Sequence, residues 1–162
     1  MIDASRKPPL IPESMSQRPA ILFANDAFYT AFATGDLAAM DAVWARRAPV
    51  CCIHPGWTAL NDRDAIMESW RGILGAPGGA GRQNQGPGGG RRQTAAIRCV
   101  RPEVFLLGDA AWVACYEILP NGNLIATNIF VPEDGAWRMV HHHAGPAPPV
   151  DAGDEADAPR VQ

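Results

Sequence analysis

"AWVACYEILPNGNLIATNIFVPEDGAWRMVHHHA", residues 111–144, is written in a period of two. Three apolar runs, 111–119, 124–132 and 136–144, are parted by "PNGN" and "EDG", whose Asn-Gly and Asp-Gly pairs mark tight hairpins. A fourth run, "TAAIRCVRPEVFLL" at 94–107, joins from upstream across "GD". Strands joined by turns this short pair antiparallel, because a parallel return needs a dozen or more residues. The expectation is a four-stranded antiparallel meander.

Upstream of the meander the period is helical. "AILFANDAFYTAFATG" (20–35) puts Ile21, Phe28 and Phe32, with Leu22 and Tyr29 alongside, on a stripe that stops at Gly35. Asp36 is placed to cap "LAAMDAVWARR" (37–47), where Leu37, Met40 and Trp44 share a face. "VCCIH" (50–54) reads as a short strand. After the turn "PGWTALND" a third helix spans Arg63 to about Leu74, with Ile66, Trp70 and Ile73 as its buried side. Helices first and strands afterwards make an α+β layout, the helices packed on one face of the sheet.

The same composition shifts set the domain bounds. Residues 1–19, carrying Pro8, Pro9, Pro12 and Pro19, and residues 146–162, acidic and proline-rich, are expected to be disordered tails around a domain at 20–145. Residues 75–92 hold eight glycines among 18 and are expected to form a flexible loop. With no GxxxxGK[ST] and no strand leading through it into a helix, that loop is not a nucleotide cradle.

At 162 residues and 47% hydrophobic, the chain can build one core. A formal net charge of −3 gives no general attraction to nucleic acid or an anionic membrane. No stretch approaches the roughly twenty apolar residues a bilayer span needs. Prolines near the N-terminus deny a signal peptide its apolar centre. Cys51, Cys52, Cys99 and Cys115 show no CxxC spacing and lie in apolar runs, so they read as buried thiols of a reducing cytoplasm. The expectation is a cytoplasmic protein with no nucleic-acid or membrane partner.

"AFYTAFATGDLAAMDAVWA", "VCCIHPGW", "LNDRDAIMESW", "AAWVACYEIL", "ATNIF" and "AWRMVHHHAGP" follow one another in an order that resembles the SnoaL-like branch of the nuclear-transport-factor-2-like superfamily. The likeness runs from about residue 21 to 145. It implies a cone: a curved antiparallel sheet wrapped around three N-terminal helices, with a pocket between them, usually assembled as a homodimer through the sheet. One departure is Asp62, where the family commonly has a glycine in the turn before the third helix; Asp tolerates the left-handed conformation such a turn would ask for. The superfamily hosts isomerases, dehydratases and cyclases alongside domains that only bind or assemble, so the site must decide the function.

Strict alternation along 136–144 puts Trp137, Met139, His141 and His143 on one face and His142 on the other. Trp137 and Met139 read as buried, so His141 and His143 are expected inward, roughly 6–7 Å apart, and His142 outward. With His54 and with Glu117, a carboxyl inside an apolar strand, they form the candidate catalytic set. Imidazole titrates nearest neutral pH, and a carboxylate beside it fixes its tautomer. In this reading His141 or His143 is the base, Glu117 the orienting carboxylate and His54 a second acid or base.

Asn128, Trp57, Tyr29 and Trp70 are the candidate ligand-contacting residues. Trp57 follows a Pro-Gly turn at a pocket mouth, Tyr29 has its hydroxyl at an edge, and Trp70, like Trp44, also fits a helix-face core position. HxH with His54 or Glu117 could make a metal set, but neither CxxC nor HExxH supports it, and no metal or cofactor is expected. The expected ligand is a small, largely apolar organic molecule, with cofactor-free proton transfer beside a carbonyl. The rival is a non-catalytic dimerisation or ligand-sensing module.

Overall fold

The computed structural model describes residues 13–75 and 97–150. The outermost tail segments and all but the first residue of the glycine-rich stretch at 75–92 lie outside the described residues. The elements in order are α1 (Glu13–Thr34), α2 (Leu37–Val43), β1 (Cys51–Ile53), α3 (Arg63–Gly75), β2 (Arg98–Leu107), β3 (Ala110–Leu119), β4 (Gly122–Glu133) and β5 (Ala136–Ala147).

The expected meander is present, β2 to β5 pairing antiparallel in sequence order. At the β4–β5 hairpin, Asp134 and Gly135 have φ of 53° and 75°, the two left-handed residues of a type I′ turn. β1 departs from a purely antiparallel sheet. It pairs in parallel with β5, Cys51 opposite His141, Cys52 opposite His142 and Ile53 opposite His143. The sheet is therefore mixed, in the order β1-β5-β4-β3-β2. Such a return needs a long crossover, and α3 with three strands provides it.

Two bulges bend this sheet around the helices. In β2 the register jumps between Val100 and Glu103, where Arg101 has φ 52°; Pro102 falls in the gap, on an edge strand that tolerates it. In β5 the register passes from Met139, opposite Phe130, to His141, opposite Ile129. Val140 is the extra residue.

α1 starts at Glu13, inside the segment expected as tail, and runs through Pro19. Proline forgoes one helical hydrogen bond there, but docking on β2 holds the stretch, with Arg18 Nη1 donating to the Val104 carbonyl at 2.8 Å. α1 ends in a Schellman turn: Gly35 at φ 66° donates to Phe32 O, and Asp36 N to Ala31 O. Asp36 then caps α2, its side chain accepting from Ala39 N at 2.9 Å. Asp62 is not left-handed. It caps α3 instead, Oδ1 accepting from Ala65 N at 3.0 Å. Arg63 clasps α3 to α2 by donating to the carbonyls of Ala45 and Asp41.

Phe28 is the hub of the core, with ring centroids 5.0 Å from Tyr29 and 5.5 Å from Trp70, both edge-on. Ile21, Met40, Trp44, Ile66, Phe130 and Met139 close around it, all fully buried. None of the described helices is long and apolar enough to cross a membrane.

Candidate functional site

The bulge at Val140 decides which histidine enters the core. Strict alternation carries Met139 inward and then His141; one extra residue shifts every later side chain to the opposite face. His142 and Ala144 are consequently buried, His143 is exposed and His141 half-buried. The expectation that His141 and His143 face inward is corrected on this ground. Their rings lie 6.3 Å apart on the outer face of the sheet.

Inside, His142 meets Asn128, its direct partner across β4 and β5, Nδ1 to Oδ1 at 2.7 Å. Asn128 Nδ2 donates to Asn25 Oδ1 at 2.8 Å and to the Tyr29 hydroxyl at 3.2 Å. Tyr29 donates to Glu117 Oε1 at 2.9 Å, and its oxygen lies 3.1 Å from Cys115 Sγ. Asn25 Nδ2 donates to Cys99 Sγ at 3.5 Å. Asn25 and Tyr29 sit four residues apart on α1, one turn of the same inward stripe. The Tyr29 hydroxyl is thus buried at the centre of the site, not at its edge.

Hydrogen-bond arithmetic gives the tautomers that go with this orientation of the amides. Both Asn128 amide protons go to Asn25 and Tyr29, so Oδ1 faces His142 and can only accept. Burial, reinforced by the charges of His54, His141 and His143, lowers the His142 pKa to about 3 and keeps it neutral. Its proton is therefore on Nδ1, and Nε2 carries the lone pair. His54 is the opposite case. Ser69 Oγ donates to the Ile66 carbonyl, so it accepts from His54 Nε2 at 2.9 Å. Burial lowers the His54 pKa as well.

Glu117 is pushed up to about 7 by burial, against the lowering pull of the Tyr29 hydrogen bond. Tyr29 is raised well above the ordinary phenol range, by burial first and then by Glu117. Burial raises the Cys52 thiol to about 12, and a hydrogen bond with Cys99, then burial, raise Cys115. Neither of these thiols is a thiolate at neutral pH, and neither is poised as a nucleophile.

Trp70 is fully buried, its ring edge-on to His54 at 4.8 Å and to Phe32 at 5.3 Å, and 6.1 Å from His142. Its Nε1–H and that of Trp44 have no acceptor among the described residues. Trp57 is 52% exposed and leans its ring against His54 at 5.0 Å. It leaves a turn in which Trp57 N donates to His54 O and Gly56 takes φ 78°. Among the described residues no three His, Cys, Asp or Glu side chains gather as a metal set.

Of the expected residues, the structure brings Tyr29, His54, Trp70, Glu117 and Asn128 to the inner face. It leaves Trp57 largely exposed against His54, and His141 and His143 outside. His142, Asn25 and Ser69 were missed. A signal for Asn25 existed: an amide midway along the apolar stripe of Ile21, Phe28 and Phe32. For His142 there was none, because nothing in "WRMVHHH" announces a bulge.

The SnoaL-like domain profile matches residues 21–149. A proposed dehydratase of the NTF2-like family from Streptomyces avermitilis superposes with a TM-score of 0.67 at 23% identity, covering 82% of this chain and 97% of that one. A proposed calcium/calmodulin-dependent protein kinase type II association domain from Thiobacillus denitrificans gives 0.59 at 34% identity, covering 77% and 93%. In sequence, the F-box protein SKIP8 of Arabidopsis thaliana is 28% identical over 127 residues, 77% of this chain and 48% of the relative. The chain thus spans about half the length of that curated relative.

Proposed function

This chain belongs to the SnoaL-like domain family, and from that premise we propose that it binds a small, largely apolar carbonyl compound and moves a proton beside the carbonyl. The observation that carries the reading is the buried chain from Glu117 through Tyr29 and Asn128 to His142. An acid–base group works best when its pKa lies near the working pH. Glu117, at about 7, meets that condition and His142, at about 3, does not. The base, first read as His141 or His143, is therefore Glu117, and the orienting role first read for Glu117 passes to His142. Glu117 takes and returns the proton, while neutral His142 orients the polar end of the ligand and His54 stands beside Trp70 behind the Trp57 rim. The α-proton passes to the Glu117 carboxylate, leaving an enolate, and returns to carbon in the product.

The test is exchange of α-protons into deuterated water, followed by proton NMR for a panel of small ketones and enones with the full chain. At least one compound is expected to exchange faster with protein, and Glu117→Gln to cut that rate by about 10²-fold or more. A panel that neither exchanges nor shifts any amide resonance would sink the proposal.

A second reading concerns the outside of the sheet and is compatible with the first. Phe105 stacks on Trp112 at 5.0 Å, Leu107 is exposed two residues further along β2, and Ile125, opposite Tyr116, is exposed further along the same face. His141 and His143 share this face. A second copy of the chain is the occupant we propose, since the relative at 34% identity is itself described as an association domain. Light scattering is expected to report a dimer for the wild type. Ile125→Lys, placing a charge on the exposed apolar face, should weaken it by about 100-fold; a monomeric wild type at ~100 µM would refute this.

A further inference from the structure

The chain between Glu117 and His142 is built from groups that can each both donate and accept. Tyr29 is a hydroxyl, Asn128 and Asn25 are primary amides, Cys99 is a thiol and His142 an imidazole. The whole run can therefore point in either of two directions.

With Glu117 ionised, its Oε1 can only accept, so the Tyr29 proton points to it. The Tyr29 oxygen must then accept from Asn128 Nδ2, which turns Asn128 Oδ1 to His142 and the imidazole proton to Nδ1. The amide of Asn25 agrees, accepting from Asn128 and donating to Cys99. With Glu117 protonated, each link has a satisfied reverse. Glu117 donates to Tyr29, and Tyr29 donates to a reversed Asn128. The Asn128 amide nitrogen then donates to His142 Nδ1, while Cys99 donates to a reversed Asn25. His142 now carries its proton on Nε2.

We propose that the protonation state of Glu117 selects the tautomer of His142 through Tyr29 and Asn128, so that Nε2 accepts from the ligand in one state and donates to it in the other. The balance is one proton taken up at Glu117; the imidazole stays neutral, giving its Nδ1 proton to water and taking one from water at Nε2, because the Asn128 amide reverses by rotation and carries no proton itself. Asn128 and Asn25 are positioning residues in this scheme, acting on the ligand only through His142.

This deepens the proposed function and rests on it for its use. The state with Glu117 protonated is the one in which negative charge sits on the ligand oxygen, and in that state the favoured tautomer of His142 is a donor. Donors aimed at developing charge are what such a reaction needs.

Other titratable groups face the two ends. His142 looks toward His54 from the loop after β1 and toward Cys52 on β1, with His141 and His143 on its own strand. Glu117 has Tyr29 from α1, Cys115 on its own strand and Cys99 opposite on β2. The experiment must separate these.

The measurement is long-range nitrogen–proton NMR of the full chain labelled at histidine nitrogens, from pH 5 to 9, with the Glu117 carboxyl carbon followed in parallel. The expected result is the Nδ1–H pattern for His142 at high pH and the Nε2–H pattern at low pH, with one midpoint shared with Glu117. Glu117→Gln and Tyr29→Phe should each make the tautomer independent of pH, and His54→Gln should leave the switch in place. A His142 that keeps Nδ1–H while Glu117 titrates overturns the inference, as does a switch that survives in either the Glu117→Gln or the Tyr29→Phe protein. None of these outcomes depends on a ligand, so the α-proton exchange assay judges the function separately.

Discussion

Trp70→Ala lowers the free energy of unfolding by about 3–5 kcal/mol, the range for truncating a buried large aromatic side chain. Trp70 is fully buried, and it holds Phe28, Phe32 and His54 in edge-on contact. Removing the indole takes away both its own burial and the wall against which α1 and the β1 end of the sheet are set. Urea unfolding checks this through the midpoint at constant slope. Trp57→Ala is the control, because a ring 52% exposed should cost under about 1 kcal/mol. Equal losses from the two would mean that α3 does not close the core as described.

The second large effect is on pH dependence, where two buried groups oppose each other. Glu117 has a folded pKa of about 7 against 4.5 unfolded. The folded state binds the extra proton, so this contribution is full below pH 4.5 and is lost as pH rises through 7. At 1.36 kcal/mol per unit it amounts to about 3 kcal/mol. His142 is depressed to about 3 from 6.5. Its contribution is full above pH 6.5 and is lost as pH falls toward 3, about 5 kcal/mol. Between 4.5 and 6.5 the two slopes cancel, and for this pair the wild type shows a plateau. Glu117→Gln removes one slope and leaves stability falling with acid from pH 6.5 downward. His142→Gln removes the other and leaves stability falling as pH rises from 4.5 to 7. Urea midpoints for the three proteins at five pH values decide the matter; identical profiles would show that neither group is buried in the ionisation state assigned.

What sequence could reveal followed from short-range physics. The meander was legible because Asn-Gly and Asp-Gly turns and a period of two are local signals, and so were the Gly35 stop and the Asp36 cap. The parallel pairing of β1 was not, since nothing in "VCCIH" says which distant edge it will join. The start of α1 at Glu13 was not legible either, because a tertiary contact through Arg18 outweighs the local penalty of Pro19. Glu117, Asn128 and His54 stood out as polar residues inside apolar runs. The histidine parity failed for one reason: alternation is counted from a buried anchor, and a bulge between anchor and target reverses the count without leaving a mark in composition.

That bulge also gives the histidine triplet a different meaning. A single inward-facing residue at a strand end is vulnerable to any insertion or deletion of one position, because the change exchanges interior for surface. Three identical residues in a row remove the vulnerability: gain or loss of the Val140 step still presents an imidazole to Asn128. The repeat thus behaves as an error-tolerant code, in which the identity of the inward group survives a frameshift of the strand.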